Sequence, residues 1–367
     1  MKRRRTGGFL LSMMIAFGGA GCTGTPPVSS AQPLAVGVSD RTNTPEVKPG
    51  LSSVEKPAVH PKFDADRAFA SLKKQCDFGP RYLGSAGHDK CLDYLKTEMK
   101  KYADETVLQE FKYRDFPVTN VCGVFYPDGK KAPSTAPIVL LAHWDTRPIA
   151  DGPRSTVAGK GAPYVYGAKG WNRLNPILGA SDGASGVAVL LELARLFKEK
   201  RPTVGVLIVL VDGEDYGDFR AKGGQGDGVL LGAEYFAKNY RKTPSFGVPF
   251  NGILLDMVGG KNLIIAKELG SQNAAPGMND KIFSVAQSLQ HNDVFLYDEI
   301  QEVEDDHTPL IRAGIPTVDL IHPLPYGNFE TRGYTQWHTL EDSPENCSAA
   351  ALKAVGETVA EVMYREK

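Results

Sequence analysis

Residues 204–215 read Val-Gly-Val-Leu-Ile-Val-Leu-Val-Asp-Gly-Glu-Asp, and this stretch decides the fold. An uncharged run of mostly valine, leucine and isoleucine is typical of a strand buried on both faces of a parallel sheet. The run ends at Asp212, and the acidic pair Glu214 and Asp215 follows one glycine later. Because ligands of open α/β sheets gather beyond the carboxyl ends of the strands, we expect functional side chains here.

Similar apolar runs occur on both sides of this stretch. A run at 138–141 leads to His143, a run at 253–255 leads to Asp256, and residues 316–321 form another. Polar side chains that follow separate parallel strands can meet at one edge of a sheet. The pattern therefore predicts a site assembled from several strand ends.

Helical segments separate these runs. We expect a helix that is capped by Asp64 and extends to about Cys76, and another over residues 87–101. Residues 107–113 and 118–126 alternate like two further strands. Apolar side chains recur at helical spacing in residues 186–198, 229–239, 278–290 and 348–364. Alternation of strands and helices predicts an α/β fold. We expect a three-layer sandwich, in which helices flank a mixed, mostly parallel central sheet.

Size and charge limit the possible functions. The chain has 367 residues, of which 42% are hydrophobic and 23% charged, so it can bury a large core. No internal repeat or second linker interrupts the globular pattern, and we expect one catalytic domain over residues 61–367. A net charge of −1, with no basic block beyond the first few residues, argues against a nucleic-acid partner.

The N-terminus has the features of an export signal. Residues 2–5 are basic, residues 9–17 are apolar, and small residues lead to Cys22. Gly-Ala-Gly-Cys, residues 19–22, resembles a bacterial lipoprotein cleavage box. We predict a lipoprotein-type signal peptide over residues 1–22 with lipidation of Cys22; simple secretion and a retained anchor are the alternatives. The protein is then exported and membrane-anchored only through its lipid in a bacterial envelope, or otherwise periplasmic or secreted.

Residues 23–60 are rich in proline, threonine, serine and valine and lack periodicity, which predicts a disordered linker. Four cysteines follow it: Cys76, Cys91, Cys122 and Cys347. None has the spacing of a thiolate zinc or redox site. We predict a disulfide between Cys76 and Cys91, because it would join two neighbouring helices; otherwise the cysteines are structural or free.

A zinc site is the chemistry that the polar residues indicate. Zinc binds histidine nitrogen and carboxylate oxygen, and a catalytic site has three protein ligands and an open position. The candidate ligands are His143, Asp182, Asp215, Asp256 and His338. Each motif alone also fits a turn, a helix cap or a packed histidine. Together, in this order and each placed after a buried strand or beside a glycine turn, they predict a metal site.

Two further carboxylates have a place in this site. Asp145, two residues after His143, can accept the imidazole N–H and set its tautomer. Carboxylates commonly do this beside a metal-binding histidine. Glu214 stands beside the candidate ligand Asp215, so it can stay free as a general acid or base.

Taken in order, these motifs resemble peptidase family M28, the zinc aminopeptidases, and within it the bacterial glutaminyl-peptide cyclotransferases (glutaminyl cyclases). The resemblance covers residue 63 to the C-terminus. It rests on residues 78–81, 84–88, 142–148, 182–186, 212–215, 255–256, 305–307 and 337–339. The zincin helix motif His-Glu-x-x-His is absent.

The resemblance implies two possible metal sites. In the cyclases, the residues matching Asp182, Asp215 and His338 hold a single zinc. In the two-zinc aminopeptidases, those matching His143 and Asp256 hold a second metal, and the residue matching Asp182 bridges both. All five ligand types are present here, so the sequence leaves one zinc or two open.

The resemblance also implies catalytic and substrate-binding roles. Glu214 matches the general acid/base, Asp256 and Asp305 match the acids of a proton relay, and Trp337 matches an aromatic wall of the glutamine pocket. The expected reaction is zinc-dependent cyclisation of N-terminal glutamine in peptides or proteins to pyroglutamate, with release of ammonia. The alternatives are hydrolysis of N-terminal residues by a two-zinc aminopeptidase and, more remotely, a non-catalytic binding ectodomain.

Three features favour the cyclase branch. His-Trp-Asp-Thr-Arg-Pro, residues 143–148, is closer to the cyclases, Asp305 directly precedes the shared Asp-His pair, and Trp337 directly precedes the last metal histidine. Three features depart from the pattern. Asp215 stands where many members have glutamate, Asp319 replaces the relay histidine of animal cyclases, and residues 216–220 contain no second pocket tryptophan.

Overall fold

A computed structural model describes residues 57–129, 136–154, 175–219 and 226–367. The predicted signal peptide, Cys22 and most of the predicted linker lie outside these residues. The described strands are β1 (Glu105–Tyr113), β2 (Phe116–Phe125), β3 (Ile138–His143), β4 (Val206–Val211), β5 (Asn251–Asp256), β6 (Ile265–Glu268), β7 (Phe295–Gln301) and β8 (Thr317–Ile321).

The described α-helices are α1 (Ala65–Cys76), α2 (Ala86–Tyr102), α3 (Ala184–Glu199), α4 (Leu231–Asn239), α5 (Leu269–Ala274), α6 (Pro276–Ser288), α7 (His307–Arg312) and α8 (Ala349–Arg365). As predicted, Asp64 caps α1, because its side chain accepts a hydrogen bond from the Arg67 amide. Within the described part of the chain, no helix is both long and apolar enough to span a bilayer.

The central sheet has the strand order β1-β2-β4-β3-β5-β8. β4, β3, β5 and β8 are parallel to one another, whereas β2 is antiparallel to β1 and to β4. This confirms the mixed, mostly parallel sheet. The register pairs His143 with Val211 and Asp256 with Ile321, so the carboxyl ends of four neighbouring strands lie at one edge.

Helices cover both faces of this sheet. Val206, Ile208 and Leu210 of β4 belong to a buried cluster with α1, α2, α3, α6 and α8. Leu207 and Val209 point to the other face and belong to a cluster with α4 and α7. The alternation explains why the β4 sequence is apolar throughout, and it confirms the three-layer sandwich.

Four short elements were not predicted from the sequence. β6 and β7 form a separate parallel two-stranded sheet, and α5 and α7 have six residues each. Six residues are too few to show a helical period, and the β7 sequence lacks the strict alternation of apolar and polar residues that marks a strand. The Gln301 side chain connects the two sheets, because it donates hydrogen bonds to the carbonyl oxygens of Ala266 and Ile321.

The predicted disulfide between Cys76 and Cys91 is wrong, since both are free thiols, as are Cys122 and Cys347. All four side chains are buried among apolar groups. Burial raises the pKa of Cys76 to about 11 and that of Cys91 to about 12, which disfavours the reactive thiolate. These cysteines therefore act as small apolar packing groups, and neighbouring helices alone do not impose disulfide geometry.

The described chain begins with a segment bound to α8. The Ala58 amide donates to Glu361 Oε1 at 2.8 Å, and His60 Nε2 lies 3.0 Å from Glu361 Oε2. The His60 ring also stacks on Tyr364, with 4.9 Å between ring centroids. The described contacts with α8 thus include residues that precede residue 61, the predicted start of the catalytic domain.

Candidate active site

The predicted site residues converge at the carboxyl edge of the central sheet. His143 and Asp256 are the last residues of β3 and β5, Glu214 and Asp215 follow β4, and Asp182 precedes α3. All five are at least nine-tenths buried. This is the arrangement predicted from the apolar runs.

Gly183 allows Asp182 to reach this edge. Gly183 is the N-cap of α3 and has a φ of +104°, a conformation that side chains strongly disfavour. A Cβ at this position would lie only 2.6 Å from the carbonyl oxygen of Asp145. The close approach of the two loops therefore requires glycine.

Asp342 holds the same loop from the opposite side. Its Oδ1 and Oδ2 accept hydrogen bonds from the amides of Ser181 and Asp182 at 2.8 and 3.1 Å. The Tyr334 hydroxyl donates to Asp342 Oδ1 at 2.6 Å. The buried carboxylate of Asp342 thus fixes the direction in which Asp182 enters the site.

Asp182, Asp215 and His338 form a compact three-ligand group. His338 Nε2 lies 3.2 Å from Asp215 Oδ2 and 3.6 Å from Asp182 Oδ2. Both of these carboxylate oxygens are buried without a hydrogen-bond partner among the described residues. His338 also has a φ of +52°, which is rare for a non-glycine residue and common at functional sites.

His143, Asp182 and Asp256 form a second group beside the first. His143 Nε2 lies 3.1 Å from Asp256 Oδ1 and 3.2 Å from Asp182 Oδ1. Asp182 thus offers one oxygen to each group, as a bridging ligand would. The structure therefore brings together all five candidate ligands.

Arg147 and Asp151 contact two members of the first group. Arg147 Nη1 donates to Asp215 Oδ1 at 3.0 Å, while its Nε and Nη2 donate to the two oxygens of Asp151. Asp151 Oδ1 lies 3.3 Å from Nδ1 of His338. Burial alone would raise the pKa of Asp151, but its hydrogen bonds from Arg147 and His338 outweigh burial and hold that pKa below its usual range.

Glu214 has a buried carboxyl group on the wall of the cavity. Burial and the neighbouring Asp215 carboxylate raise its pKa well above its usual value. Asp145 accepts hydrogen bonds from the amides of Glu214 and Asp215, at 3.0 and 3.2 Å. Its Oδ1 is also 3.5 Å from His143 Nδ1, so Asp145 supports the Glu214 loop as well as lying beside the histidine.

The carboxylates predicted for a proton relay share the cavity with Glu214. Asp305 lines the same cavity as Glu214 and Asp256. Burial, together with Asp256, raises the pKa of Asp305 well above its usual value. Asp319 is fully buried, and its Oδ2 lies 3.4 Å from Nδ1 of His307. An imidazole therefore stands next to the position where animal cyclases have the relay histidine.

These residues open into a cavity of about 660 Å³. Trp337 lines it, stacks on His338 with 4.0 Å between centroids, and meets the Tyr326 ring edge-on. Phe219 also lines the cavity. An aromatic ring other than tryptophan therefore lies within residues 216–220, which contain no second pocket tryptophan. Apolar walls with a few convergent polar groups are typical of a small-ligand site.

The donor set fits a divalent metal ion. One imidazole nitrogen and two carboxylate oxygens are zinc ligands, and the group opens on the cavity. Burial and the Asp215 carboxylate raise the pKa of Asp182 to about 7. This crowding of buried negative charge is what a bound cation relieves.

Sequence comparison agrees with this geometry. Residues 120–363 match peptidase family M28. The chain belongs to this family.

Solved structures extend the comparison for this M28 protein. It is 36% identical to the glutaminyl cyclase of Bacteroides thetaiotaomicron, with a TM-score of 0.71, covering 84% of this chain and 100% of the other. A Zn-dependent exopeptidase from Parabacteroides distasonis is 34% identical, with a TM-score of 0.72 and the same coverage. An aminopeptidase of Bacillus subtilis is 25% identical over 67% of this chain, which spans 44% of that protein's length.

The residues that support the group formed by Asp182, Asp215 and His338 were not predicted from the sequence. Arg147 lies within the quoted His-Trp-Asp-Thr-Arg-Pro run, but its contact with Asp215 joins residues 68 positions apart. Asp151 follows Arg147 by four residues, and this spacing was the available signal. Asp342 had none, because it acts through amides 160 or more positions away.

Arg81 is a further buried support of the site. It is fully buried, and its guanidinium donates hydrogen bonds to the carbonyl oxygens of Trp144, Leu178 and Gly179. It thereby joins the loop after β3 to the loop before Asp182. Residues 78–81, Phe-Gly-Pro-Arg, are among the segments that resemble the family. The contacts of Arg81 give a physical reason for the arginine in this motif.

Proposed function

We propose that this M28 protein is a zinc-dependent glutaminyl-peptide cyclotransferase. Its substrates are peptides or proteins with an N-terminal glutamine, and its products are the pyroglutamyl peptide and ammonia. Asp182, Asp215 and His338 are the proposed ligands of one zinc ion. Glutaminyl cyclases are among the similar solved structures, and the match extends over the whole of the cyclase chain.

One contact carries the choice of reaction. Asp256 Oδ1 and His143 Nε2 are 3.1 Å apart, so the two side chains of the second-metal position hydrogen-bond to each other. In the other ligand group, Asp182 Oδ2 and Asp215 Oδ2 are buried without a hydrogen-bond partner among the described residues, and both residues line the cavity. This difference supports one zinc, and a one-zinc site is what the resemblance to the cyclases implies.

Zinc, when bound, supplies a Lewis acid for the side-chain carbonyl of the glutamine. Glu214 takes a proton from the α-amine as its nitrogen bonds to that carbonyl carbon, and returns a proton to the amide nitrogen as it leaves as ammonia. The raised pKa of Glu214 suits both steps, because a general acid/base works best with a pKa near the working pH. Both reacting groups belong to one residue, so positioning by the cavity supplies much of the rate.

A single sample distinguishes the reactions. The purified protein is first analysed for metal content and then assayed with a glutaminyl peptide and a leucyl peptide. We expect about one zinc per chain, pyroglutamyl product and one ammonia per product, without release of N-terminal amino acid. Hydrolysis of the leucyl peptide without cyclisation of the glutaminyl peptide would show that the proposal is wrong.

The second candidate is aminopeptidase action with two zinc ions. The position of Asp182 between the two ligand groups favours it, since one carboxylate can bridge two metals. Glu214 would then deprotonate a water molecule instead of an amine. Two zinc ions per chain, together with leucyl-peptide hydrolysis, would support this reaction.

We further propose that the protein is an exported lipoprotein, on the strength of residues 1–22 alone. Expressed in a bacterial host, it is expected in the membrane fraction, with a mature N-terminus at an acylated Cys22. Cys22→Ala is expected to move the protein out of that fraction, because it removes the site of lipid attachment. Recovery of the unaltered protein in a soluble fraction, without acylation, would contradict lipidation.

A further inference from the structure

Arg147 lies at the centre of a set of contacts around the ligand group formed by Asp182, Asp215 and His338. Its Nη1 donates to Asp215 Oδ1 at 3.0 Å and to the carbonyl oxygen of Gly217 at 2.9 Å. On the other edge of the guanidinium, Nε and Nη2 donate hydrogen bonds to the two oxygens of Asp151, at 2.9 and 2.8 Å. Arg147 is 6% exposed, and its bonds to Asp215 and Gly217 are buried, so water competes little for them.

Asp151 continues the chain of contacts to a second ligand. Its Oδ1 lies 3.3 Å from Nδ1 of His338, whose Nε2 faces Asp215 and Asp182. An imidazole that donates its Nδ1 hydrogen to a carboxylate presents the lone pair of Nε2 to a metal. One arginine thus contacts one ligand directly and a second ligand through one carboxylate.

The other ligand group has a different surrounding. Nδ1 of His143 lies 3.5 Å from Asp145 Oδ1, and both oxygens of Asp145 also accept hydrogen bonds from backbone amides. The Arg147–Asp151 ion pair, in contrast, contacts Asp215 and His338.

We propose that Arg147 and Asp151 are positioning residues for the metal ion, which hold Asp215 and His338 at the separation and orientation that zinc binding requires. Neither residue needs to touch the ion. The effect of the pair is a higher zinc affinity of this ligand group. The inference concerns metal binding alone and is independent of whether the reaction is cyclisation or hydrolysis.

Two conservative variants test it. Asp151→Asn keeps the shape of the side chain but removes its charge, and Arg147→Lys keeps the charge but loses the two-edged geometry that contacts Asp151 and Asp215 together. We expect each to weaken zinc binding by about 10–100-fold, the usual effect of removing an outer partner of a metal ligand. Zinc affinity is measured on the full-length protein by competition with a chelator of known affinity.

Arg195→Lys is the matched control. Nε and Nη2 of Arg195 donate hydrogen bonds to Glu192, as the same nitrogens of Arg147 do to Asp151. Both residues lie on α3, and these bonds do not involve a candidate metal ligand. We expect unchanged zinc affinity in this variant. An equal loss in Arg195→Lys, or no loss in Asp151→Asn and Arg147→Lys, would overturn the proposal.

Cobalt substitution separates positioning from general loosening of the fold. The visible absorption bands of a bound Co²⁺ ion depend on the geometry of its ligands. We expect these bands to change in Asp151→Asn and Arg147→Lys and to stay unchanged in Arg195→Lys. The double variant Asp151→Asn with Arg147→Lys is expected to lose less affinity than the sum of the single losses, because both act through one ion pair.

Discussion

Glu214→Gln is expected to lower kcat for glutaminyl-peptide cyclisation by about 10²–10⁴-fold, the usual contribution of a positioned acid/base. Glutamine fills the same space and keeps the backbone amide that donates to Asp145. It cannot accept the amine proton or return one to the leaving nitrogen. The measurement is a comparison of kcat for pyroglutamate formation at equal zinc occupancy.

Retention of zinc is the necessary control for this variant. Glu214 is not among the three proposed ligands, so zinc content measured by elemental analysis should equal that of the unaltered protein. Glu302→Gln is the matched variant, because Glu302 lines the same cavity but is exposed at its rim. We expect its kcat to change little. Near-full turnover of zinc-bound Glu214→Gln would rule out the proton-transfer role.

Removing the imidazole of His338 is expected to remove the zinc and the activity together. His338 Nε2 is the only nitrogen in the proposed three-ligand group, and without it two buried carboxylates face each other with one ligand fewer. Loss of a Lewis acid worth several kcal/mol corresponds to about 10³-fold or more in rate. The measurement is zinc content and cyclisation rate of His338→Ala against the unaltered protein.

His143→Ala makes this prediction specific to the ligand group. If His143 only hydrogen-bonds to Asp256 and Asp182, the variant keeps its zinc, while His338→Ala loses it. His291→Ala is a control for loss of a histidine, because His291 contacts Glu357 at a distance from the site. Two zinc ions in the unaltered protein, with one lost in His143→Ala, would instead indicate the aminopeptidase arrangement.

Some features of the site could be predicted because they depend on local sequence. Buried parallel strands need continuous apolar runs, and their ends place polar residues at one edge of the sheet. His143, Asp256 and the Glu214-Asp215 pair all follow such runs, and the structure brings them together as expected. Asp182 was marked by the glycine after it, and Gly183 is indeed required by its positive φ.

Other features could not be predicted because they depend on distant contacts. The Cys76–Cys91 disulfide was inferred from neighbouring helices, but packing decides whether two thiols meet, and these remain free. The small sheet of β6 and β7 and the short helices α5 and α7 form through tertiary contacts that leave no period in the sequence.

The sequence by itself determined the α/β fold, the five candidate ligands and the acidic group Glu214. Most of these residues follow a buried strand, Asp182 stands beside a glycine, and His338 was marked by its place in the ordered set of motifs. Only the tertiary structure decided how those ligands are held. Arg147, Asp151 and Asp342 act on Asp215, His338 and Asp182 through hydrogen bonds between separate loops. Such bonds depend on where the folded backbone places each loop, and no local pattern in the sequence records that placement.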